Sequence, residues 1–380
     1  MFADALGVNL AEPSSIAVVG SKGKATAATF ASAAIAAAGL RVGTITSPPI
    51  ITNRERIRID GAAIDEASYA AIADAAADAL STLPPATAKS GYLSPAGMYM
   101  IAGLWHQKRC GCAVFVVEAA MGGRSDEVSL LRPTIVIVTP IFGEHLGILG
   151  TTVAEIAADK LGVVADSTRA IFSTPQTRDV EEAVQRIGIE ARIVAAPPIA
   201  ELSPPPLLNS ANACVGIAGG LAYLGAARQP TREDLLKTLA TIHLPGRLTA
   251  VRDDAARNWL VDAAVSLEGV QIAIRNATER HGPIDLVLIS LPDNKDVART
   301  AAWLDETVGT TKWLPVVPPD AQHLPYSDAA WRRSLVAWND IDVRLRPRMS
   351  VVAVGSWSFM SAVLGRLGMD AEHAFTVTCP

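Results

Sequence analysis

Basic clusters and cysteines are scarce in this sequence of 380 residues. The 33 lysines and arginines are outnumbered by 38 aspartates and glutamates, the formal net charge is −5, and no long run of lysine and arginine occurs. A nucleic-acid-binding surface needs a basic patch, so we expect no nucleic-acid partner. The four cysteines are scattered, which predicts reduced thiols rather than a disulfide framework or a zinc site; they are Cys110, Cys112, Cys214 and Cys379.

We also expect neither a membrane span nor a signal peptide from this sequence. The Ala-rich run at residues 25–40 is too short and too weakly apolar to cross a bilayer. The first residues, from Met1 to Asp4, lack the basic start of a secretory signal. We therefore predict a cytoplasmic protein with no membrane partner. Hydrophobic residues make up 50% of the chain, which is enough for sizeable cores, and the length predicts two or three domains.

Strand-like and helix-like segments alternate through the first half of the chain. Apolar, β-branched runs predict strands at 15–20, 41–46, 113–118 and 134–139. Helices are predicted between them, at 26–38, 64–80, 98–107 and 153–164. This alternation is typical of an α/β fold with a parallel sheet and helices on both faces. Ligands bind beyond the carboxyl ends of the strands in such folds, so chemical residues should follow strands directly.

A second α/β series follows an interruption at residues 244–248. The sequence Leu-Pro-Gly-Arg-Leu at this point breaks the pattern, and we place the domain boundary there, giving domains 1–245 and 246–380. A proline-rich connection at 195–207 and a helix at 208–224 precede it. The second series predicts strands at 259–262, 284–290, 313–317 and 350–355, and helices at 267–280 and 328–338.

A glycine loop with a lysine separates the first predicted strand from the first long helix. The segment from Gly20 to Thr26 reads Gly-Ser-Lys-Gly-Lys-Ala-Thr. Glycines allow a tight turn whose N–H groups converge on phosphate oxygens, and the following helix presents its positive end to the same anion. Lys24 adds a charge near the terminal phosphates. The standard P-loop pattern has a glycine where this chain has Val18, so an ordinary strand-to-helix turn is also compatible with the motif.

Polar residues follow three of the predicted strands. Ser47 comes after the second strand, Glu118 ends the third, and Glu144 and His145 follow the fourth. Hydroxyl and carboxylate oxygens at this edge suit Mg²⁺ beside nucleotide phosphates. Each residue also has a purely structural interpretation. Ser47 and Glu118 are typical of loop or helix caps, and a single histidine is often structural.

Several motifs in sequence order resemble the Mur ligase superfamily, and most closely folylpolyglutamate synthase. Gly20–Thr26 stands where the family has Gly-Thr-Asn-Gly-Lys-Gly-Ser/Thr. The other matching segments are Thr46-Ser47-Pro48, Glu55-Arg56-Ile57, Glu118 with Gly122-Gly123-Arg124-Ser125-Asp126, Glu144-His145, the segment 156–162 with Lys160, Asn212-Ala213, Leu244-Pro245-Gly246-Arg247, Asp262, and Asp293-Asn294-Lys295-Asp296. The resemblance implies a P-loop-containing central ATPase domain with a parallel sheet, followed by a smaller Rossmann-like α/β domain.

By this resemblance, the protein is an ATP-dependent amide ligase. A carboxylate is phosphorylated to an acyl phosphate, and an amino acid or amine then displaces the phosphate. The implied ATP site combines the glycine loop with three residues that act from across a domain cleft; its members are Gly20, Ser21, Lys22, Gly23, Lys24, Ala25, Thr26, Asn212, Arg247 and Asp262. Domain closure would then assemble the site.

The resemblance also implies two Mg²⁺ ions. Ser47 and Glu118 would hold one ion and His145 the other, and Lys160 would be carbamylated to help place the second ion. Lys24, His145 and Lys160 are thus the predicted catalytic residues. Carbamylation needs a neutral amine, hence a site that disfavours the ammonium form. The alternative for Lys160 is a surface lysine on a helix.

Departures from the family pattern fall mainly on the predicted acceptor pocket, whose positions are Pro49, Ser94, Ala96, Gly97, Asp126 and Glu127. The segment 94–97 stands where the family has Thr-x-Phe-Glu, which helps seat dihydropteroate, so an aromatic ring and a carboxylate are both missing there. Glu127 replaces a small residue, and Pro49 replaces a histidine. We therefore predict a carboxylate substrate other than folate, in a specialised biosynthetic pathway.

Two alternatives stay open at this stage. One is a folylpolyglutamate or dihydrofolate synthase with a divergent pocket. The other is a non-catalytic ATP-binding subunit, suggested by Val265 and Ser266, which replace a His-Asn pair after Asp262. The joint presence of Lys24, Glu118, His145 and Lys160 favours an active enzyme. The predicted partners are a small-molecule carboxylate and an amino acid or amine, and the sequence leaves the oligomeric state open.

Overall fold

The computed structural model describes residues 1–11, 14–84, 93–186, 191–194, 211–321 and 324–377. The predicted connection at 195–207, the first residues of the predicted helix at 208–224, and Cys379 lie outside these ranges. The chain forms two compact units. The first contains Met1–His243 and the C-terminal segment that begins at Glu372, and the second contains Leu244–Ala371. The predicted division into functional domains at 245 and 246 stays a prediction.

The first unit is built on an eight-stranded sheet. Its strands are β1 (Ser15–Val19), β2 (Val42–Ile45), β3 (Ile57–Ile59), β4 (Ala62–Ala63), β5 (Val114–Glu118), β6 (Ile135–Val138), β7 (Ala170–Ser173) and β8 (Ala191–Ile193). They lie in the order β4-β3-β2-β5-β1-β6-β7-β8, and the pairs β2–β3 and β3–β4 are antiparallel while the others are parallel. All residues of β1, β2, β5 and β6 are buried, as expected for central strands with both faces covered.

Eight α-helices accompany this sheet within the described residues. They are α1 (Phe2–Ala5), α2 (Lys24–Ala36), α3 (Glu66–Ser81), α4 (Pro95–Arg109), α5 (Val153–Lys160), α6 (Arg178–Gln185), α7 (Ala211–Leu224) and α8 (Arg232–Ala240). Helix α2 is buried from Thr26 onwards because its small alanines allow close packing. On α7, Gly216 approaches the carbonyl of Ala27 so closely that a Cβ atom there would lie 2.3 Å from the oxygen. The helix after the glycine loop is therefore fixed in the core.

The second unit has a six-stranded sheet in the order β13-β12-β11-β14-β10-β9. Its strands are β9 (Thr249–Arg252), β10 (Asn258–Asp262), β11 (Leu286–Ser290), β12 (Trp313–Val317), β13 (Val336–Ala337) and β14 (Ser350–Gly355). Only the pair β9–β10 is antiparallel within the described sheet. The helices are α9 (Leu267–His281), α10 (Val297–Thr307), α11 (Asp328–Trp331) and α12 (Trp357–Arg366). The predicted class, two α/β units with largely parallel sheets, is confirmed.

One predicted helix is wrong in length. The pattern at 328–338 predicts a continuous helix, but α11 ends at Trp331 because Arg332 adopts a left-handed backbone conformation, with φ of 51°. A separate 3₁₀-helix then begins at Trp338. None of the helices in the described ranges combines the length and apolar character that a membrane-spanning segment needs.

Candidate active site

The carboxyl ends of four neighbouring strands in the first unit bring the predicted residues to one edge of the sheet. In the sheet order, β2, β5, β1 and β6 are adjacent. Ser47 follows β2, Glu118 ends β5, the glycine loop follows β1, and His145 lies in the segment after β6. Because these strands are parallel, their ends meet at the same edge. Residues that are far apart in sequence therefore surround one region.

The glycine loop has the conformation of a phosphate cradle. Gly20 has φ of 141° and Gly23 has φ of 85°, both in the region that favours glycine. A Cβ atom on Gly20 would lie 2.0 Å from Oγ1 of Thr139, and one on Gly23 would lie 2.1 Å from Nδ2 of Asn212. Both glycines are thus required by backbone conformation and by space. Helix α2 begins at Lys24, so its unpaired N–H groups follow the loop directly.

Side chains of the loop hold it against the neighbouring strand ends. Nζ of Lys24 donates to the carbonyl of Gly20 at 3.1 Å. The backbone N–H of Ser21 donates to the carbonyl of Pro140 at 2.8 Å, and Oγ of Ser21 accepts from the N–H of Phe142 at 3.2 Å. Lys22 is exposed, while Ala25 and Thr26 lie in the first turn of α2. The loop is therefore positioned before any nucleotide binds.

Glu118 and Ser47 contact each other directly. The backbone N–H of Ser47 donates to Oε2 of Glu118 at 3.0 Å, and the carboxylate is buried, with 7% of the residue exposed. Oγ of Ser47 accepts from Nη2 of Arg56 at 3.2 Å. Arg56 is itself buried and lies over the ring of Tyr99, 3.9 Å from its centroid, and burial lowers the pKa of its guanidinium. A buried carboxylate, a hydroxyl and a cation thus share this end of the site.

Lys160 is completely buried and connects three loops. Its Nζ donates to the carbonyl of Gly20 at 3.0 Å and to the carbonyl of Met121 at 2.7 Å, and it lies 3.0 Å from Oε1 of Glu144. An ammonium group has three donors, and each has an acceptor here. Burial lowers the pKa of Lys160, and the carboxylate of Glu144 opposes that shift. The alternative of an exposed surface lysine is wrong, whereas the predicted carbamate stays a prediction.

The paired glycines after Glu118 pack directly on the end of α5. A Cβ atom on Gly123 would lie 2.2 Å from the carbonyl oxygen of Lys160. Oδ1 of Asp159 accepts from the N–H of Gly123 and from Oγ of Ser125, both at 3.0 Å. The end of α5, around Lys160, therefore fixes the position of the loop that follows Glu118.

His145 is the most open of the predicted first-unit ligands. Its side chain is 42% exposed, its φ is 51°, and its Nε2 lies 3.9 Å from Oε2 of Glu144. The left-handed conformation turns the chain sharply after β6. Glu144 follows β6 as predicted but is not among the predicted metal ligands, although an acid directly before a strand-end histidine is a usable signal. Arg56 is also absent from the predicted site, because the sequence places it only within the Glu-Arg-Ile motif.

The remaining predicted ATP residues are divided between the two units. Asn212 lies at the start of α7 in the first unit, with its amide against Gly23. In the second unit, the Arg247 guanidinium lies 5.6 Å from the ring centroid of Trp357, and Oδ2 of Asp262 accepts from the N–H of Leu248 at 2.8 Å. Ser266 caps α9 by accepting from the N–H of Gly269, which gives this position a structural role.

Four of the six predicted acceptor positions have defined contacts at the same edge. Glu127 reaches Ser94 at the start of α4, and its carboxylate occupies the space over Gly97. Asp126 accepts from the N–H groups of Met121 and Val128, at 3.0 and 3.1 Å. Of the other two positions, Ala96 lies in the first turn of α4, and Pro49 is half-buried near Ser47.

The donors present fit ATP and Mg²⁺. The glycine cradle and the N-terminus of α2 suit phosphate oxygens. No group of three or more His, Cys, Asp or Glu side chains close enough to hold a metal exists among the described residues. Mg²⁺ is usually held by one or two carboxylates together with water and substrate phosphates, so Glu118 with the Ser47 hydroxyl suits that ion.

Comparison with known proteins identifies relatives along most of the chain. A dihydrofolate synthase/folylpolyglutamate synthase of Escherichia coli is 29% identical over 342 residues, which is 83% of this chain and 76% of that protein. A folylpolyglutamate synthase of Lacticaseibacillus casei is 25% identical over 392 residues, or 92% and 88% of the two chains. No protein-family model matches. The predicted resemblance is confirmed.

Solved structures show the same fold. The E. coli enzyme in complex with DHPP and ADP gives a TM-score of 0.75 at 21% identity, covering 97% of this chain and 91% of that one. A complex of folylpolyglutamate synthase with AMPPCP and folate gives 0.77 at 23% identity, covering 96% and 93%. At such identities the likeness establishes the fold alone.

The prediction that the carboxylate substrate is not a folate is wrong, because the relatives that match most of the chain are dihydrofolate and folylpolyglutamate synthases. The structure supplies a physical reason for the error. Gly97 and Glu127 were counted as two separate departures from the family pattern. In the fold they are neighbours, and the carboxylate of Glu127 occupies the space where a side chain on residue 97 would begin. Glu127 therefore places a carboxylate directly beside residue 97.

Proposed function

Because this chain is a homologue of the folylpolyglutamate synthases, we propose that it joins glutamate to a folate-type carboxylate. The carboxylate substrate would be dihydropteroate, a reduced folate, or both. The enzyme class predicted from the sequence, an ATP-dependent ligase that forms a carbon–nitrogen bond, is confirmed by these relatives. ATP with Mg²⁺ is the nucleotide and metal that we propose for the reaction. Its substrates are small molecules.

The relationship to the E. coli synthase across 83% of this chain carries the proposal. The local geometry supports it, since the glycine loop, Glu118, Ser47 and Lys160 surround the same sheet edge. ATP supplies the phosphoryl group that turns a carboxylate, a poor electrophile, into one with a good leaving group.

We assign the following roles to the chain's own residues. The N–H groups of the glycine loop and of the first turn of α2 bind phosphate oxygens, and Lys24 neutralises charge on the terminal phosphate. Glu118 and the Ser47 hydroxyl hold one Mg²⁺ beside it, and His145 contributes to a second. Arg56 supplies a fixed positive charge next to Ser47.

Lys160 and three further residues predicted to bind ATP have these proposed roles. Lys160 fixes the glycine loop relative to the loop after Glu118, as an ammonium or, if carbamylated, through an added carboxylate. Asn212, Arg247 and Asp262 contribute to ATP binding. The expected cytoplasmic location stays a prediction.

The test is an assay of the purified protein with ATP, Mg²⁺, glutamate and, in parallel, dihydropteroate or tetrahydrofolate. We expect glutamylated product by mass spectrometry and phosphate release that depends on the folate. The Lys24→Met variant is the control for contaminating ligases, and it should release no phosphate. Tight ATP binding without product from any folate would overturn the proposal and favour the non-catalytic alternative.

A further inference from the structure

The C-terminal segment, residues 372–377, belongs to the first unit although it follows the second unit in the sequence. The backbone N–H of Ala63 in β4 donates to the carbonyl of Glu372 at 2.7 Å, and the N–H of Ala374 donates to the carbonyl of Gly61 at 2.9 Å. The two runs of chain are antiparallel. The segment therefore extends the eight-stranded sheet beyond β4 and pairs backbone groups that an edge strand leaves open.

A buried aromatic side chain anchors this segment. Only 1% of Phe375 is exposed. A Cβ atom on Gly61 would lie 2.3 Å from the carbonyl oxygen of Phe375 and 2.8 Å from its Cγ, so the two residues are in close contact. In addition, the N–H of Thr376 donates to Oγ1 of Thr241 at 2.9 Å, and that hydroxyl donates to the carbonyl of Thr376 at 3.1 Å. The position of the segment along the first unit is thus fixed on two elements.

Glu372 binds Arg54 with both carboxylate oxygens. Nη2 of Arg54 donates to Oε1 at 2.5 Å, and Nη1 donates to Oε2 at 3.3 Å. A paired contact of this kind fixes the plane of the guanidinium as well as its position. Nη1 also donates to the carbonyl of Ile64 at 2.9 Å, and Nε lies 3.4 Å from Oε2 of Glu66. Because the side chain of Glu66 is 83% exposed and makes a single contact, Glu372 is the carboxylate that orients Arg54.

Arg54 lies in the short 3₁₀-helix Asn53–Arg56, and the next two residues of that helix hold the loop that carries Ser47. Glu55 is buried, and its carboxylate accepts from three successive backbone N–H groups of this loop, at 2.8 to 3.2 Å. Nη2 of Arg56 donates to Oγ of Ser47 at 3.2 Å. Both contacts depend on where the 3₁₀-helix lies, and Arg54 connects that helix to the C-terminal segment.

We propose that Glu372 is a positioning residue for the ligase reaction. Through Arg54 it fixes the 3₁₀-helix, and the 3₁₀-helix in turn fixes the Ser47 hydroxyl that is assigned to Mg²⁺. Glu372 acts on the site through these contacts and not as a ligand. The end of the chain thereby contributes to the geometry of a metal site near its beginning. This inference rests on the proposed function, because it needs Ser47 to have its assigned role.

A positioning role predicts a loss of activity that exceeds the loss of stability. The side chains of Arg54 and Glu372 are 21% and 41% exposed, and ion pairs with such access to water contribute little to folding. Their effect on geometry is larger, since a shift of about 1 Å caused by a change far from the chemistry costs up to about a hundredfold in rate. Activity and stability should therefore respond differently to the loss of this pair.

The first test is Glu372→Gln. The amide keeps the shape of the side chain but turns one acceptor into a donor that faces the guanidinium, so the paired contact is lost. With dihydropteroate or tetrahydrofolate, whichever the wild type uses, kcat should fall about tenfold and the Mg²⁺ concentration for half-maximal rate should rise. KM for the folate and the midpoint of urea unfolding should stay unchanged. An unchanged kcat and Mg²⁺ requirement would overturn the inference.

Asp342→Asn is the matched control, because Asp342 forms a pair of the same kind in the second unit. Its Oδ1 and Oδ2 accept from Nη2 and Nη1 of Arg366 at 2.5 and 3.2 Å, and the two side chains are partly exposed. This substitution should leave kcat and the Mg²⁺ requirement unchanged. An equal fall of kcat in Asp342→Asn would assign the effect to the loss of any surface ion pair and contradict the inference.

A double variant tests whether Glu372 acts through Ser47. Ser47→Ala removes the hydroxyl that Glu372 is proposed to position. If the two residues act in one chain of contacts, Ser47→Ala/Glu372→Gln should have the same kcat as Ser47→Ala alone. A double variant that is slower than Ser47→Ala, by the factor that separates Glu372→Gln from the wild type, would show independent action and refute the proposed route.

Hydrogen–deuterium exchange tests the structural step without any ligase activity. In Glu372→Gln, the N–H groups of residues 50–52, which donate to Glu55, should exchange about tenfold faster than in the wild type, since their local opening is no longer restrained through Arg54. Exchange in the central strand β1 should stay the same. Peptide mass spectrometry measures both regions, and unchanged exchange at 50–52 would contradict the inference.

The two possible failures are distinguishable. A wild-type protein that adds glutamate to no folate refutes the proposed function, and the exchange experiment still shows whether Glu372 fixes the loop. An active wild type whose kcat, Mg²⁺ requirement and exchange at 50–52 are unaffected by Glu372→Gln refutes only the role of Glu372.

Discussion

Nζ of Lys160 lies 3.0 Å from Oε1 of Glu144, and the lysine side chain is fully buried while the glutamate is 21% exposed. Two carbonyl groups, of Gly20 and Met121, complete the set of acceptors. The glycine loop, the loop after Glu118 and the segment after β6 are therefore connected through a single atom. A buried charge of this kind is costly unless each of its donors is satisfied.

Lys160→Met should destabilise the protein by about 3 kcal/mol, the lower end of the range for breaking a buried ion pair, because Glu144 keeps partial access to water. Urea unfolding measures this change. Lys237→Met is the control, since Lys237 forms an exposed pair with Glu233 on α8 and should change the free energy of unfolding far less than Lys160→Met does. Equal effects of the two substitutions would contradict the bridging role of Lys160.

The predicted carbamate on Lys160 is tested separately. With isotopically labelled bicarbonate, a carbamate carbon signal should appear by NMR in the wild type and disappear in Lys160→Met. A carbamate nitrogen keeps a single N–H, so the contacts to Gly20, Met121 and Glu144 would have to change. A wild-type spectrum without the signal would leave the ammonium as the working form.

Glu118→Gln should separate nucleotide binding from turnover. The substitution keeps the shape of the side chain but removes the charge assigned to Mg²⁺, so the Kd for ATP should stay within a few-fold while kcat falls about a hundredfold or more. Glu181→Gln, on the exposed surface of α6, is the matched control and should leave kcat unchanged. Full ligase activity in Glu118→Gln would show that the metal assignment is wrong.

The central strands were predictable from sequence because they are continuous apolar runs. The strand β3 and its hairpin with β4 were not, and Arg58 shows why. This arginine is only 4% exposed in the middle of β3, and it donates to the carbonyls of Gly61 and Glu372. Burial lowers the pKa of Arg58 to about 10. One of these two acceptors, the carbonyl of Glu372, lies more than three hundred positions away in the sequence, and local sequence patterns do not reveal it.

The site shows the same limit. The placement of Ser47 and Glu118 at one sheet edge was predictable, because each stands at the end of an apolar run in an alternating fold. The pairing of Gly97 with Glu127 depends on how α4 meets the loop after β5. In the sequence the two residues are separate departures from the family pattern, whereas in the fold they are neighbours that share one space. That difference led to the incorrect exclusion of folate.

Cys112 should resist alkylation in the folded protein. Burial raises the pKa of its thiol to about 12, so at pH 8 only about one molecule in ten thousand carries the reactive thiolate. Iodoacetamide at pH 8 should therefore modify the half-buried Cys110 before Cys112, as read by peptide mass spectrometry, and both should react in urea. The pKa of the Cys112 thiol is higher in the folded protein than in the unfolded protein. The stability that this thiol contributes is therefore lost as the pH rises above the unfolded pKa towards 12. Rapid labelling of native Cys112 would contradict its burial.

Gly23→Ala should weaken ATP binding by more than its effect on stability explains. Two costs act at this position: the left-handed conformation, about 1–2 kcal/mol for a residue with a Cβ atom, and the 2.1 Å approach to Nδ2 of Asn212. Gly39→Ala separates them, because Gly39 has φ of 76° but nothing within 4 Å of a Cβ atom. Both variants should lose stability in urea unfolding, whereas only Gly23→Ala should raise the Kd for ATP, by at least about tenfold, since its loop must shift to clear Asn212. If Gly39→Ala weakened ATP binding equally, the effect would belong to general destabilisation, and the close contact between Gly23 and Asn212 would have no role in holding the cradle.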